Sequence, residues 1–325
     1  LLEPRSRLQA KSATSSQEGR GISLVELEQN GEAQRRLFSR LCSHGWTTVV
    51  VSEEDAHRMT AAYDAIRSFA SDVDPRLRAE CHSCFDKSRY VGYVQDAGRE
   101  WMQLRAGVED RKKFPWPGAA EGYRCDFIMA FEAANRVARR VLEAICKILH
   151  EDEDELYSSL SHPSMLEDTS NAFGASVMRI FLYKDPPRAD ADGAASHLHA
   201  DMGLLTVSPR STLPALELLT PSTGEVVRPE EELGPQEWLV FAGEAMTLLT
   251  GGRIPAVLHK VPWIERGLQP RRCSAPFFLR PNPDFVLIPG KAGPQAALTY
   301  REFIERHAVR PWRLIGPSGS SVGDW

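Results

Sequence analysis

Residues 237–262 read EWLVFAGEAMTLLTGGRIPAVLHKVP and hold three short apolar segments, at 237–243, 245–251 and 256–262. Glycine and proline separate these segments, as they do where a chain turns between strands. The pattern predicts three short β-strands in succession.

The same pattern begins at residue 175 and extends through most of the second half of the chain. Four further segments are SVMRIFLY (176–183), GLLTV (203–207), ALELLT (215–220) and CSAPFFL (273–279). Many short strands at close spacing indicate a β-sandwich or barrel, and not an alternation of strands and helices. A helix at 299–309 is predicted to close the chain.

The first half of the sequence is predicted to be mainly helical. Helical spacing of apolar residues predicts a helix at 32–43 that stops at Gly45, and a strand follows at 46–51. Ser52 and the acids after it predict the start of a helix that runs through residue 70. A helix at about 126–150 is apolar around most of its circumference, so we expect it to be buried against a sheet.

We predict one integrated α+β fold, mainly β with flanking helices, because no repeat or Pro/Gly-rich linker divides the chain. A flexible N-terminus is assigned to residues 1–20, and a helical and mixed region that packs on the core to 21–165. The β core with its C-terminal helix is assigned to 166–325. We expect the acidic run EDEDE (151–155) to be a solvated loop.

Composition places the 325-residue chain among ordinary globular proteins, with 42% hydrophobic and 26% charged residues. A net charge of -5 argues against nucleic acid or an anionic membrane as a partner. Six cysteines are too few for a disulfide scaffold in a chain of this length, so an intracellular, cytoplasmic location is expected. The polar first twenty residues leave a remnant of organelle targeting open as an alternative.

A cluster of histidine and aspartate suggests a metal site. In HLHADMGLLTV (197–207), alternation along a strand would place His197, His199 and Asp201 on one side. His259, on a predicted strand further along, could lie opposite them in a sandwich. Two imidazoles and one carboxylate leave open coordination positions, which is typical of Fe(II) sites that activate oxygen. A polar strand edge is the alternative for the HxD step alone.

A second cluster could bind a carboxylate. Arg272 and Ser274 form an RxS step on a predicted strand, which places both side chains on one face. The guanidinium fork matches a carboxylate, and Tyr183 could add a phenolic donor. Taken alone, Arg272 could instead form a surface salt bridge, and Tyr183 could be a core residue.

The order HxD, H, RxS resembles that of the 2-oxoglutarate and Fe(II)-dependent oxygenases, in particular their isopenicillin N synthase-like branch. The matching segments of the second half are HADMGLLTV (199–207), FAGEAMTLLTGGRIPAVLHKV (241–261) and RRCSAPFFLRPNPD (271–284). In the first half, SHGWTTVVV (43–51), RYVGY (89–93) and FPWP (114–117) are similar to the same branch. The resemblance implies a double-stranded β-helix, or jelly roll, with iron at one open end.

The resemblance also implies roles for individual residues. His199, Asp201 and His259 would be the catalytic iron ligands, and Arg272, Ser274 and Tyr183 would hold the cosubstrate 2-oxoglutarate. Two features depart from the family. Phe181 stands where the family usually has Asn, and the longer stretch WIERGLQPRR (263–272) suggests an extended hairpin, with Arg271 as a less favoured substitute for Arg272.

The implied function is Fe(II)- and 2-oxoglutarate-dependent hydroxylation, or a related C–H oxidation, of a small molecule by O₂, with ascorbate as an accessory reductant. We expect the protein to be a monomer. Two alternatives are an Fe(II) oxidase or oxidative cyclase of the same fold that does not use 2-oxoglutarate, and a non-catalytic jelly-roll binding module.

Overall fold

The structure is a computed structural model that describes most of the chain between residues 21 and 322. The described residues are 21–86, 89–96, 98–114, 116–152, 173–185, 194–263, 267, 270–288, 297–307, 314–315 and 321–322. Residues 1–20, the end of the acidic run, the division proposed at 165 and much of the predicted hairpin in 263–272 lie outside them. Those interpretations stay predictions.

Eighteen short strands make up the β-structure of the described residues. Those before the longest helix are β1 (Ile22–Ser23), β2 (Trp46–Val50), β3 (His82–Asp86), β4 (Arg89–Gln95) and β5 (Arg99–Leu104). The central ones are β6 (Val177–Tyr183), β7 (Ala194–His199), β8 (Leu205–Ser208), β9 (Glu217–Leu219), β10 (Val226–Val227), β11 (Glu237–Ala242) and β12 (Leu258–Pro262). The last are β13 (Cys273–Ser274), β14 (Phe277–Leu279), β15 (Val286–Ile288), β16 (Leu298–Thr299), β17 (Leu314–Ile315) and β18 (Ser321–Val322).

The helices lie mostly in the first half, as predicted. They are α1 (Leu24–Gln29), α2 (Gly31–His44), α3 (Glu53–Asp72), α4 (Pro75–Glu80), α5 (Arg124–Asp152), α6 (Glu244–Leu249) and α7 (Tyr300–His307). Two short 3₁₀ turns cover Gly118–Tyr123 and Pro229–Glu231. The predicted boundaries have clear physical causes: the Ser52 side chain accepts from the Asp55 amide, and Gly45 ends α2 with φ 74°.

Two sheets form the β core. The larger has ten strands in the order β1-β2-β11-β8-β14-β6-β5-β4-β3, with β13 also paired to β6, and the smaller has the order β10-β9-β12-β7. Nearly all pairings are antiparallel, and strands far apart in sequence are neighbours. Phe181 and Phe241 of the larger sheet pack with Leu218 and Val261 of the smaller one in a shared apolar cluster. The sheets therefore face each other, and the fold is a jelly roll within an α+β chain.

The outer face of the larger sheet is covered by helices. Helix α5 contacts α3, β8 and β14, and its buried residues surround much of its axis, as its apolar sequence predicts. One of them, Phe131, meets Phe277 of β14 edge to face, with ring centroids 5.4 Å apart. The opposite face of the sheet is left for the interior of the sandwich, where the polar clusters lie.

Two strand predictions were wrong in part. Residues 245–251 lie in helix α6 and its end, because Ala, Met and Leu favour a helix and a short apolar run does not reveal its own period. The segment 273–279 forms two strands, β13 and β14, with Pro276 between them. Proline has no amide hydrogen to donate, so a break at this position follows from its chemistry.

Within the described residues, no helix is long and apolar enough to cross a membrane.

Candidate metal and anion site

His199 and His259 lie side by side on adjacent strands of the smaller sheet. His199 ends β7, and His259 is its direct partner on β12 in the antiparallel register. Their ring centroids are 4.3 Å apart. The sheet itself therefore brings together two residues that are far apart in sequence.

Asp201 does not lie on the same strand as His199, as alternation would require. Strand β7 ends at His199, and Asp201 occupies the turn in which the chain passes from the smaller sheet to β8 of the larger one. The Asp201 carbonyl accepts from the Glu244 amide at 2.7 Å, which ties this turn to the start of α6. The residues predicted to cluster do meet, but a turn between sheets brings them together.

The three side chains converge on one point. Asp201 Oδ1 lies 3.7 Å from His199 Nε2, and Asp201 Oδ2 lies 3.8 Å from His259 Nε2. One ligand atom from each residue lies within 4.8 Å of the others. Among the described residues this is the one such group of three or more histidine, cysteine or acidic side chains.

Backbone carbonyls orient both histidines. His199 Nδ1 lies 2.7 Å from the His197 carbonyl, and His259 Nδ1 lies 3.1 Å from the Val257 carbonyl. A carbonyl can only accept, so each Nδ1 carries a hydrogen, and in the neutral imidazole Nε2 then keeps the lone pair. Fixing the tautomer in this way prepares imidazoles to bind a metal ion. The His197 side chain is exposed.

Burial favours the neutral form of His259 beside the Asp201 carboxylate. Burial lowers the pKa of His259, although Asp201 opposes this shift. Thr206 donates to Asp201 Oδ2 at 2.5 Å, which fixes the carboxylate. Burial, together with the charge of Asp201, raises the pKa of Glu244 to about 7.

Arg272 is buried next to this cluster with one nitrogen unsatisfied. Its Nη2 lies 3.1 Å from each carboxylate oxygen of Glu230, and its Nε donates to the Leu213 carbonyl at 3.0 Å. Its Nη1 is buried and has no hydrogen-bond partner among the described residues. An unsatisfied buried donor is costly, so this nitrogen indicates a place where a ligand would accept.

Tyr183 packs against that guanidinium, and Ser274 lies beside the Tyr183 hydroxyl. Arg272 Cζ lies 4.6 Å from the centroid of the Tyr183 ring, and the Tyr183 hydroxyl lies 3.3 Å from Ser274 Oγ. Phe181 takes its place beside Tyr183, with ring centroids 5.9 Å apart, and contributes no polar group. Arg271 is not part of this cluster; its carbonyl accepts from Arg67.

Two connected cavities join the clusters. An inner cavity of about 100 Å³ is lined by the histidines, Asp201, Arg272 and Ser274. An outer cavity of about 620 Å³ is lined also by Trp263. Residues that line both cavities include His199, Asp201, Arg179 and Phe278. Phe277, the neighbour of Phe278 in the sequence, belongs to the hydrophobic core.

The donors fit a divalent metal ion and an organic acid. Two imidazoles and one carboxylate from three positions leave coordination sites open, unlike a closed structural zinc site with four protein ligands. The unsatisfied Arg272 Nη1 and the Ser274 hydroxyl could hold a carboxylate in the inner cavity.

Sequence reasoning missed several polar residues around these cavities. Arg179 and Arg280 line the outer cavity, and period-2 alternation with Tyr183 on β6 could have identified the first. Glu230 lies in RPEEEL, which reads as an ordinary exposed acidic turn. No local signal distinguishes it, since its burial depends on strands far away in sequence.

Comparison with known families identifies the β core. Residues 175–281 match the model of the 2OG-Fe(II) oxygenase superfamily. Isopenicillin N synthases from a Flavobacterium species and from Lysobacter lactamgenus are each 28% identical over 181 residues. The match covers 54% of this chain and 51% of each relative, so the chain spans about half the length of these curated relatives.

Solved structures share the fold over most of the chain. A full-length Neurospora crassa protein in complex with alpha-KG has a TM-score of 0.68 at 16% identity, covering 89% of this chain and 95% of the Neurospora protein. The rice dioxygenase for auxin oxidation has a TM-score of 0.66 at 18% identity, with 89% and 94% covered.

Proposed function

We propose that this chain, whose residues 175–281 match the model of the 2OG-Fe(II) oxygenase superfamily, is a non-haem Fe(II) dioxygenase that couples oxidative decarboxylation of 2-oxoglutarate to oxidation of a C–H bond in a small molecule. The observation that carries the proposal is the adjacency of the two clusters. The metal-binding group lines the same inner cavity as Arg272, whose buried Nη1 has no hydrogen-bond partner among the described residues.

His199, Asp201 and His259 would hold the iron. Their convergence, the Nδ1 hydrogen bonds and the Thr206 contact to Asp201 all leave lone pairs directed at a common point. Iron bound with 2-oxoglutarate would supply the activation of O₂ and the oxidation of the C–H bond.

Arg272, Ser274 and Tyr183 would hold the distal carboxylate of 2-oxoglutarate. Nη1 of Arg272 and the Ser274 hydroxyl are the available donors, and Tyr183 packs against the guanidinium. Phe181 gives the cavity an apolar wall where a polar contact is usual in the family, so cosubstrate binding depends more strongly on Arg272.

The remaining walls would keep bulk water from the reacting groups and orient the substrate. Phe181 and Phe241 are buried and line the inner cavity together with His259, and the ring centroids of Phe241 and His259 are 4.9 Å apart. The outer cavity, with a volume typical of small-molecule sites, would receive the substrate.

A binding experiment tests the proposal directly. Purified protein, anaerobic Fe(II) and 2-oxoglutarate should together give a weak visible charge-transfer band. His199→Ala should abolish the band, whereas His57→Ala, an exposed histidine on α3, should leave it unchanged. Absence of the band in the unsubstituted protein would contradict the proposal.

The similarity to isopenicillin N synthases favours one alternative, an oxidase of the same fold that does not use 2-oxoglutarate. Succinate formation separates the two: the dioxygenase makes succinate from added 2-oxoglutarate, whereas the oxidase consumes O₂ without it. A non-catalytic module would bind neither iron nor 2-oxoglutarate and would show no band.

We further propose a monomeric enzyme that acts on small molecules and not on nucleic acid or membranes, with ascorbate as an accessory reductant. The net charge of -5 supports the choice against nucleic acid. A cytoplasmic location and a division into an N-terminal region (21–165) and a jelly-roll core (166–325) belong to the same proposal.

A further inference from the structure

Two arginines project into the outer cavity from neighbouring strands of the larger sheet. On β6, Arg179 alternates with Phe181 and Tyr183, whereas Ile180 and Leu182 point to the helices. Beyond β14, Arg280 follows the same alternation two residues after Phe278. Strand geometry therefore places both guanidiniums on the cavity side of the sheet.

Neither arginine forms a salt bridge to an acidic side chain in the part of the chain that the structure describes, although the charge of Asp201 acts on Arg179. Arg179 Nε donates to the neutral amide oxygen of Gln103 at 2.7 Å. Arg280 Nε is buried without a hydrogen-bond acceptor. Leaving a buried donor of a cationic group without an acceptor is unfavourable, so an anionic ligand that accepts from these guanidiniums would relieve this cost.

The other charges around the cavity do not neutralise the pair. Asp96 is engaged by Arg99, with Nη2 and Oδ2 3.3 Å apart. Asp201 belongs to the metal-binding group, where a divalent ion would outweigh its charge. Arg105, behind the cavity, is repelled by the same positive charges. Its pKa is lowered to about 9, first by burial and then by the charges of Arg280, Arg89 and Arg179.

The rest of the cavity is apolar and aromatic. Arg179 lies above the Phe278 ring, with its Cζ 5.9 Å from the centroid, and Trp263 and Met202 line the same space. A cavity of about 620 Å³ holds a molecule larger than an inorganic ion. Cationic groups at one wall and aromatic ones beside them suit an apolar body that carries an anionic group.

We propose that Arg179 and Arg280 bind the substrate's anionic group, a carboxylate or a phosphate on a small organic molecule with an apolar body. This inference rests on the proposed function, because it places the anion next to the metal-binding group. Arg272 lines only the inner cavity and has Glu230 as its partner, whereas Arg179 lines both cavities and Arg280 only the outer one.

Titration calorimetry on the full chain, with Mn(II) in place of iron, tests the proposal. The probes are aromatic and aliphatic carboxylates, each matched with its neutral amide, and a parallel set of organic phosphates. Carboxylates or phosphates should bind more tightly than their neutral counterparts. The set that binds more tightly identifies the anionic group of the substrate. Arg179→Gln and Arg280→Gln should weaken binding about 10- to 100-fold, whereas Arg35→Gln, on the exposed face of α2, should not.

Three results would overturn the inference. The first is that no anion in the panel binds better than its neutral counterpart. The second is that Arg179→Gln and Arg280→Gln, each with an unchanged melting temperature, bind the anions as tightly as the unsubstituted protein does. The third is that Arg280→Gln weakens the binding of 2-oxoglutarate as much as Arg272→Gln does, because the pair would then bind the cosubstrate and not the substrate.

Failure of the proposed function gives a different pattern. The charge-transfer band would then be absent, while calorimetry would still show binding of anions that depends on Arg179 and Arg280. Arg280→Lys adds a check on geometry: it keeps the charge but loses the fork, so its affinity should fall between those of the unsubstituted protein and Arg280→Gln.

Discussion

Glu230 places both carboxylate oxygens 3.1 Å from Nη2 of Arg272, and both side chains are almost fully buried. The same carboxylate accepts from the backbone amides of Ala215 and Leu216. Burial alone would raise the pKa of Glu230, but the charge of Arg272 and these hydrogen bonds outweigh it, so the pKa is lowered and the group stays ionised. Glu230 therefore acts as a positioning residue for the guanidinium that would hold 2-oxoglutarate.

Glu230→Gln should destabilise the ligand-free protein by about 3 kcal/mol, because it leaves a buried guanidinium without its counter-charge. Added 2-oxoglutarate should then raise the melting temperature more in the variant than in the unsubstituted protein, since the ligand carboxylate replaces the lost charge. Differential scanning fluorimetry measures both effects. Glu231→Gln, an exposed neighbour, is the control, and an equal response to 2-oxoglutarate would contradict the assignment.

Thr206→Val should weaken metal binding about 10- to 100-fold, because Asp201 loses the hydroxyl that donates to Oδ2. Thr206→Ser keeps the hydroxyl and should bind almost normally. Anaerobic titration with Co(II), followed by its visible spectrum, gives the affinities. Equal affinity in both variants would show that the hydrogen bond does not orient the carboxylate.

Gly243→Ala should disrupt the metal-binding turn. A Cβ at this position would lie 2.3 Å from the Gly203 carbonyl oxygen and 2.6 Å from that of Asp201, and backbone atoms cannot easily move away. We expect a loss of stability of about 2 kcal/mol or more together with weaker metal binding. Gly122→Ala is the matched control, since nothing lies within 4 Å of its added Cβ. Unchanged Co(II) affinity in Gly243→Ala would argue against the role of the turn.

Glu244 should make the metal-free protein less stable as pH rises. The folded state raises the pKa of this carboxyl to about 7, so the folded state binds the proton more tightly than the unfolded state does. The stabilisation that the Glu244 carboxyl gives the folded state is fully present below its unfolded-state pKa of about 4.3, and it is lost as pH rises towards 7. Glu244→Gln should remove the dependence and be more stable at neutral pH by on the order of 2 kcal/mol. Urea denaturation in the presence of a chelator, at several pH values, measures the free energy of unfolding of both proteins. The same dependence on pH in both would contradict the prediction.

Local sequence signals predicted much of the fold. The N-cap at Ser52, the stop at Gly45 and the apolar strands β6 and β11 each depend on neighbours a few residues away. The segment 245–251 was mistaken for a strand because a short apolar run does not reveal whether its period is that of a strand or of a helix.

The candidate site was likewise predicted only in part from the sequence. The grouping of His199, Asp201 and His259 followed from their pattern and order, although the strand geometry proposed for Asp201 was wrong. Glu230, Thr206 and Arg280 could not be selected from the sequence. Each acquires its surroundings from the packing of two sheets, which no short pattern records.

The hydrogen bond from His199 to the carbonyl of residue 197 has an evolutionary consequence. Because the acceptor is main chain, any amino acid at position 197 would supply it, and the same holds for position 257 beside His259. Metal binding therefore does not constrain which side chain stands at these two positions. The exposed side chain of residue 197, which borders the outer cavity, is free to diverge with the substrate while the ligand beside it keeps its orientation.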